Sequence, residues 1–277
     1  MTLAPDPVLL DVSAEGVAVI TLNRPEKRNA FDELVIANLT EHFETLKGAD
    51  HVRIVFIRGA GESFCAGADI DWMRRQGERD RDENEADALD LARMLRHLYE
   101  LPQITVALAH GAAMGGGAGL VAACDIAVAT ADAKFRFSEV RLGLTPATIS
   151  PYVLQAIGPR WTRALFTTAE GFDGDFAERI GLVQYTVADK TGLDAMMEQL
   201  SVLAFAAAPG AVADAKALVR FLIDDVTRSR NLAGAGHVID DHLMKETARR
   251  IALRRASPEG REGLAAFLEK RKPEWNA

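Results

Sequence analysis

Three short stretches, in fixed order along the chain and the first two rich in small residues, most constrain what this sequence can fold into. They are residues 63–69 (SFCAGAD), 111–117 (GAAMGGG) and 138–143 (SEVRLG). The first two place Gly and Ala at turns, where backbone N–H groups can face a ligand because no large side chain blocks its approach. Each stretch precedes a segment with a helical pattern, and free N–H groups at a helix start favour negative charge. Together with Glu139, the stretches predict a hole for an anionic oxygen beside a carboxylate.

Composition disfavours several classes of protein. At 277 residues, the chain can bury one large core, or a core with a smaller module. Its formal net charge of −8 disfavours a nucleic-acid surface, so any phosphate site must be local. Cys65 and Cys124 lack metal-like spacing, so we expect thiols in a reducing compartment. With no signal-peptide pattern and no long apolar run, we expect a cytoplasmic protein that does not enter a membrane.

Apolar runs separated by turn residues predict alternating strands and helices. A hairpin of Val8–Val12 and Val17–Leu22 opens the chain, and an amphipathic helix follows over residues 31–46. Further β-rich segments are predicted at residues 52–57, 104–108, 125–128 and 183–187. This order favours an α/β fold with a parallel sheet over a barrel of hairpins.

Residues 71–90 are rich in charges and poor in apolar side chains. We expect a solvated loop or a frayed helix of weak order there, with a mobile cover over a substrate channel as the alternative. From about Asp194 onward the pattern is helical, with amphipathic segments at 196–208, 209–223, 231–253 and 258–270. The predicted division is therefore a core of residues 1–200 and a helical module of residues 201–277.

The three stretches, taken together, resemble the crotonase, or enoyl-CoA hydratase/isomerase, superfamily. The resemblance runs from residues 21–25 (TLNRP) to residues 267–271 (FLEKR) and so covers nearly the whole chain. It implies a crotonase-like core of repeated ββα units in a spiral. It also implies a C-terminal helical oligomerisation module that packs between the subunits of a homotrimer or of a pair of trimers. The implied substrate is an acyl-CoA thioester, which needs no separate cofactor because coenzyme A is part of it.

By this resemblance, the backbone amides of Ala68 and Gly116 bind the thioester oxygen, and Glu139 transfers protons at the α carbon. Loss of one such amide donor typically costs about 3–4 kcal/mol of transition-state stabilisation. An apolar setting would raise the pKa of Glu139 and suit it to acid–base catalysis. Taken alone, a glycine run is more often a tight turn and a lone glutamate more often a surface residue.

The resemblance also implies a set of residues that bind the substrate and its CoA. Asp69 is expected both to cap a helix and to lie near CoA. Lys27 or Arg28 would meet the phosphates, although exposed basic side chains are usually just solvated. The implied set is Lys27, Ala66, Ala68, Asp69, Ile70, Asp71, Gly116, Phe267 and Lys270.

Position 119 departs from the pattern of typical hydratases. These carry a second glutamate two residues beyond the glycine triplet, where this chain has Gly119. Three explanations stay open: one glutamate makes both proton transfers, another group takes the missing place, or the reaction needs one carboxylate. The last describes Δ3,Δ2-enoyl-CoA isomerases. A non-catalytic acyl-CoA-binding or scaffold protein is a further hypothesis.

Two further runs narrow the resemblance to a group of hydratases. Residues 138–152 and 257–264 resemble bacterial methylglutaconyl-CoA and γ-carboxygeranoyl-CoA hydratases, which act in leucine and acyclic-terpene breakdown. That group also has glycine at the position of Gly119, so hydration of a branched or carboxylated enoyl-CoA is the first hypothesis. Arg141 or Arg136 would meet the extra carboxylate, with a structural or solvated arginine as the alternative.

Other kinds of site are disfavoured. The glycine run fits a dinucleotide fingerprint only in its relaxed form, and the phosphate-binding pattern G-x-x-x-x-G-K-[ST] does not occur. His237 and His242 lack the spacing of a zinc-binding helix, and no serine lies in a G-x-S-x-G turn. The sequence therefore predicts neither a metal site nor an acyl-serine hydrolase.

Overall fold

The structure, a computed structural model, describes residues 6–233 and 239–276. The chain divides into two units between Ser201 and Val202. Strands and helices alternate in the first unit, whereas the described part of the second unit consists of helices and turns. The roles predicted for the core and for the helical module stay predictions.

The strands of the first unit form two sheets. The larger sheet has the order β1-β2-β3-β4-β6-β9 and the smaller has the order β5-β7-β8. β1 and β2 are antiparallel, and the other neighbours in the larger sheet are parallel, so the predicted hairpin and parallel sheet are confirmed. The strands are β1 Val8–Val12, β2 Val17–Leu22, β3 Ile54–Gly59, β4 Ile104–Ala109, β5 Ala112–Met114, β6 Ile126–Thr130, β7 Lys134–Arg136, β8 Phe172–Asp173 and β9 Tyr185–Val187.

Helices connect most of the strands. Those that begin in the first unit are α1 Glu33–Lys47, α2 Ile70–Gly77, α3 Arg81–Glu100, α4 Gly116–Ala123, α5 Ser150–Thr168, α6 Gly174–Ile180 and α7 Lys190–Ala206. The second unit has α8 Pro209–Ala233, α9 Asp241–Ala256 and α10 Pro258–Glu269. Short 3-10 helices cover Pro25–Lys27, Glu139–Leu142 and Glu274–Asn276.

The core lies on the larger sheet. Ile57 of β3, Leu39 and Phe43 of α1, and Met94 of α3 are all fully buried in one cluster. β3 is buried along most of its length, as is usual for a parallel strand covered on both faces. The carboxyl ends of β3 and β4 lead into the first and second small-residue stretches, so the sheet sets where those stretches begin.

Two capped helices cover most of residues 71–90, so of the two predicted forms, a solvated loop or a frayed helix, the loop is wrong. The Asp80 side chain accepts a hydrogen bond from Glu83 N–H (2.9 Å), and the Glu83 side chain accepts one from Asp80 N–H (3.1 Å). This reciprocal capping box satisfies two amides at the start of α3. The apolar residues that anchor α3 lie beyond the charged stretch, at Met94, Leu95 and Leu98.

The helices of the second unit differ from the prediction at one boundary. The predicted helix over 231–253 is wrong, because α8 continues to Ala233 and α9 begins at Asp241. Asp240 caps α9 by accepting a hydrogen bond from Leu243 N–H (2.8 Å). The rest of that segment, residues 234–238, lies outside the described residues.

No single described helix is both long and apolar enough to cross a membrane. Helix α7 and the segment Pro209–Asp225, which are joined at a bend, pass this test only when they are taken together. The test considers length and composition alone.

Candidate active site

The first two small-residue stretches run side by side. Cys65 N–H donates to Ala112 O (2.9 Å), and Met114 N–H donates to Cys65 O (2.9 Å). A Cβ atom on Gly117 would lie 2.7 Å from Cys65 O and 2.8 Å from Cys65 Cβ. Glycine at position 117 therefore allows a backbone approach that any side chain would prevent.

Phe31 holds the segment that carries Ala68. Phe31 N–H donates to Gly67 O (2.7 Å), and Asp69 N–H donates to Phe31 O (2.7 Å). These bonds engage the groups on either side of Ala68, whose own N–H has no acceptor among the described residues. The Phe31 ring also lies against Gly116, where a Cβ atom would come within 3.0 Å of it. One residue thus contacts both segments with predicted amide donors.

Gly116 is the first residue of α4. Gly115, which precedes it, has a φ of 48°, in the left-handed region that favours glycine. The N–H of a first helical residue has no acceptor within its own helix, and none is found for Gly116 in the described part of the chain. This N–H also lies at the positive end of the helix dipole.

The Glu139 carboxylate reaches the same turn. A Cβ atom on Gly115 would lie 3.2 Å from Glu139 Oε1, so the carboxylate packs where Gly115 has no side chain. Oε2 is buried, with no hydrogen-bond partner in residues 6–233 and 239–276. Burial raises the pKa of the Glu139 carboxyl above its ordinary value of 4.5, and a hydrogen bond from its own backbone N–H opposes this only in part. Such a carboxyl suits proton transfer near neutral pH.

Ile149 fills the space beside Gly119. A Cβ atom at position 119 would lie 2.3 Å from Ile149 Cγ2, and its three nearest atoms all belong to Ile149. Ile149 is itself only 1% exposed. A glutamate at position 119 therefore does not fit unless Ile149 moves. The side chain that packs against position 119 is therefore apolar, and a replacement acid or base for the missing glutamate stays a hypothesis.

Asp69 caps α2, as predicted, and also pairs with two cations. Its Oδ1 accepts hydrogen bonds from Asp71 N–H (2.9 Å) and Trp72 N–H (3.2 Å). Its Oδ2 lies 3.2 Å from the Arg24 guanidinium and 3.5 Å from Lys27 Nζ. Burial acts to raise the pKa of Asp69, but these amides and cations outweigh it and hold the pKa below its ordinary value.

Lys27 lies over the start of α2. Its Nζ is 3.0 Å from Asp71 Oδ2, and this hydrogen bond raises the pKa of Lys27. Nearby, Ala66 N–H donates to Arg28 O (2.9 Å), and the Ile70 side chain is 71% exposed. The structure therefore groups the predicted CoA-binding residues of the first unit around the segment that carries Ala68.

Phe267 and Lys270 belong to the second unit. Phe267, on α10, is 80% exposed, and Lys270 follows the last residue of that helix with a left-handed φ of 54°. Their contact with CoA stays a prediction.

The two arginines considered for a substrate carboxylate differ in environment. Arg141 is exposed. Arg136 is half-buried and lies in register with Met114. A Cβ atom on Gly171 would be 2.8 Å from Arg136 Nη2, so the guanidinium packs over a glycine. Arg136 Nε is buried, and no hydrogen-bond partner is found for it in the described part of the chain.

Thiol and metal chemistry find little support at this site. Cys65 is buried, and burial raises the pKa of its thiol to about 12. Cys65 and Cys124 are not joined by a disulfide. Within residues 6–233 and 239–276, no three His, Cys, Asp or Glu side chains lie close enough together to hold a metal ion.

Sequence reasoning missed two residues that shape the site, Phe31 and Ile149. Phe31 is the first residue of the helix predicted over residues 31–46 and looks like part of its apolar face. Ile149 lies in a polar turn, and no local pattern points to its contact with Gly119. Both act through contacts between segments that are distant in sequence.

Comparisons with known proteins extend over nearly the whole chain. Residues 13–277 match the profile of the enoyl-CoA hydratase/isomerase family. The chain is 30% identical to a crotonyl-CoA hydratase of Syntrophomonas wolfei, over 93% of this chain and 94% of that protein. The crystal structure of an enoyl-CoA hydratase from Shewanella pealeana superposes with a TM-score of 0.89 at 38% identity, over 97% of this chain and 96% of that one. Pseudomonas aeruginosa AtuE superposes with a TM-score of 0.87 at 35% identity, over 98% and 100% of the two chains.

Proposed function

Because the chain belongs to the enoyl-CoA hydratase/isomerase family of crotonase enzymes, we propose that it adds water across the α,β double bond of an acyl-CoA thioester. One observation carries this proposal: the N–H groups of Ala68 and Gly116, both without an acceptor in the described part of the chain, lie on segments that meet at the turn reached by the buried Glu139 carboxylate. Coenzyme A is part of the substrate, so the reaction uses no separate cofactor.

The two amides act on the thioester oxygen. Attack at the β carbon moves the electron pair of the double bond toward this oxygen, which becomes an enolate oxygen. Fixed N–H donors stabilise that charge without having to reorganise, and each is worth about 3–4 kcal/mol. The start of α4 adds the positive end of its dipole.

Glu139 moves the proton. Its carboxylate removes a proton from water as the water oxygen bonds to the β carbon. The protonated Glu139 then gives that proton to the α carbon as the enolate collapses and its electron pair forms the new C–H bond. One carboxylate thus returns to its starting state, and the product contains one added water molecule.

The second candidate is a Δ3,Δ2-enoyl-CoA isomerase, which the contact between Ile149 and Gly119 favours. With no second carboxylate at position 119, a reaction that needs one carboxylate is the simplest chemistry. In that reaction Glu139 removes a proton from the α carbon of a 3-enoyl thioester and returns it to the γ carbon. No water enters the product.

For the acyl group, we propose a branched or carboxylated chain such as 3-methylglutaconyl-CoA. Arg136 supports this choice, because a half-buried guanidinium with a buried Nε lacking a partner in the described residues can bind a carboxylate. Its carbonyl accepts a hydrogen bond from Gly115 N–H (2.9 Å), so its backbone adjoins the turn before Gly116. Arg136→Leu should raise KM for the carboxylated substrate and leave KM for crotonyl-CoA nearly unchanged.

A non-catalytic acyl-CoA-binding protein is disfavoured by the state of Glu139. A buried carboxylate oxygen without a hydrogen-bond partner costs free energy, and a protein that only binds gains nothing from that cost.

Isotope incorporation distinguishes the candidates. The wild-type protein and Glu139→Gln are incubated in ¹⁸O-water with 3-methylglutaconyl-CoA, crotonyl-CoA or a 3-enoyl-CoA, and the products are analysed by mass spectrometry. A hydratase incorporates ¹⁸O only when Glu139 is present. Migration of the double bond without ¹⁸O identifies an isomerase, and no turnover of any of the three substrates contradicts both enzymatic proposals.

We also propose that the chain forms a homotrimer or a pair of trimers through the predicted helical module, residues 201–277. Exposed apolar side chains on α9 and α10 support this, because isolated surface helices rarely expose so many. They are Met244, Ile251, Leu253, Leu264, Phe267 and Leu268. Light scattering after size-exclusion chromatography gives the mass directly, and a monomer at micromolar concentration would contradict the proposal.

A further inference from the structure

A small cavity lies at the carboxyl ends of β3 and β4. Its volume is about 110 Å³, and it lies wholly within the first unit. The residues that decide its chemistry are Arg58, Gly61, His110, Lys190 and Asp194. No residue of the predicted acyl-CoA site lines it, so the cavity is distinct from that site.

Positive charge exceeds negative charge in this cavity. The Arg58 guanidinium lies 3.5 Å from Asp194, and both side chains are partly exposed. Lys190 Nζ donates to the carbonyl of Gly61, a neutral acceptor. Among the described residues, no carboxylate lies within 4.0 Å of Lys190, so the charge of this lysine has no ion-pair partner there. This local excess of positive charge is opposite in sign to the net charge of the whole chain, which is −8.

His110 adds a buried ring to the same cavity. Its side chain is 5% exposed, and its Nε2 lies 3.0 Å from the Gly61 carbonyl, which can only accept a hydrogen bond. Nε2 therefore carries a hydrogen, and Nδ1 has no hydrogen-bond partner in the described part of the chain. Burial lowers the pKa of His110, and the charges of Lys190 and Arg58 add to this, while the Gly61 bond and Asp132 oppose it.

We propose that this cavity binds a small oxyanion, either a phosphate or a carboxylate group. An ammonium group has three N–H donors, so Lys190 keeps two after bonding to Gly61, and Arg58 keeps several after pairing with Asp194. A bulk water molecule takes up about 30 Å³, so the cavity is large enough for a single phosphate group. Charge-assisted hydrogen bonds from two cations are the usual means of holding such a group.

NMR of the histidine rings gives a test that does not depend on catalysis. The ¹⁵N-labelled protein is titrated with inorganic phosphate, and separately with acetate, at constant ionic strength and without any acyl-CoA. We expect the His110 ring signals to shift and to saturate, while those of the other five histidines stay nearly still. The anion with the lower dissociation constant identifies the preferred source, a phosphate or a carboxylate.

Three lysine variants make the result specific. Lys190→Ala should weaken binding about tenfold or more, because the variant loses the charge-assisted hydrogen bonds of the ammonium group. Lys190→Arg keeps the charge and should retain binding. Lys47→Ala, which removes a lysine from the end of α1, is the matched control and should bind like wild type.

Three outcomes would overturn the proposal. They are an unsaturated His110 shift at high anion concentration, equal shifts of all histidines, and equal affinity in Lys190→Ala and wild type. None of them bears on the proposed hydratase reaction, because no acyl-CoA is present in the experiment. Conversely, a negative result in the isotope experiment would not contradict the proposed oxyanion site.

Discussion

The side chain of Ile149 occupies the space that any side chain at position 119 would need. The contact is tight, with only 2.3 Å between Ile149 Cγ2 and the position of a Cβ atom on Gly119. Glycine is therefore required here for packing, whatever the reaction. Because Ile149 packs directly on Gly119, α4 can approach the turn before α5 only without a side chain at position 119. Glu139 is therefore the one carboxylate that the proposed mechanism uses.

Gly119→Ala should destabilise the protein. The added methyl group forces Ile149 or α4 to move, and overpacking of this kind costs about 1–3 kcal/mol. Gly77→Ala is the matched control, because a Cβ atom there meets nothing within 4 Å and its φ is not positive. The control should be neutral or slightly stabilising, by up to about 1 kcal/mol. Urea unfolding measures both, and equal stability of the two variants would contradict the packing argument.

Glu139→Gln should lose activity without losing stability. General acid–base catalysis is typically worth about 10²–10⁴ in rate, so kcat should fall by that order. The substitution also removes a charge whose burial is unfavourable, so the melting temperature at neutral pH should equal or exceed that of wild type. Calorimetry and initial rates measure the two effects. Glu170→Gln, at an exposed position, is the control and should change neither.

The pH dependence should follow the raised pKa of Glu139. The carboxylate must be ionised to accept a proton, so kcat/KM should fall as the pH drops through a pKa above 4.5. Stability should change in the opposite sense. The folded state holds this proton more tightly than the unfolded state, so the stabilisation is complete below pH 4.5 and is lost as the pH rises through the folded pKa. The free energies of unfolding of Glu139→Gln and wild type are measured as a function of pH. A constant difference between them from pH 4.5 upward would contradict this prediction.

Local patterns were enough to predict the features that depend on local chemistry. Asp69 was expected to cap a helix, and its carboxylate accepts two amide hydrogen bonds at the start of α2. The opening hairpin, the parallel strands and the three short stretches were likewise found from residues close together in sequence. By contrast, the capping box of Asp80 and Glu83 was overlooked, because the surrounding charges suggested a solvated loop.

The remaining features depend on contacts between distant segments. Nothing in the sequence around Ile149 indicates that it packs on Gly119, and nothing around Phe31 indicates that its ring lies against Gly116. Such contacts follow from how the strands order themselves in the sheet. A single sequence therefore indicates candidate site residues more readily than it indicates the residues that pack against them.

Native labelling should distinguish the two cysteines. Burial raises the pKa of Cys65 to about 12, so almost none of it is thiolate at mildly alkaline pH, and its side chain is out of reach of a reagent. Cys124 is half-buried and should react more readily with a maleimide. Mass spectrometry of digested peptides should find label on Cys124 in the native state and on both cysteines after unfolding. Rapid native labelling of Cys65 would mean that the segment leading to Ala68 opens.

Lys27→Ala tests whether the cation over α2 binds substrate or only pairs with its neighbours. The ammonium lies 3.0 Å from Asp71 and 3.5 Å from Asp69, with 44% of the side chain exposed, so it can turn toward a phosphate without unfolding anything. If it meets CoA, the variant should raise KM about tenfold and leave kcat nearly unchanged, because the contact is the same in the ground and transition states. Lys47→Ala should leave both constants unchanged. A fall in kcat at constant KM would instead mean that Lys27 acts through Asp69, by holding the cap of α2 beside Ala68.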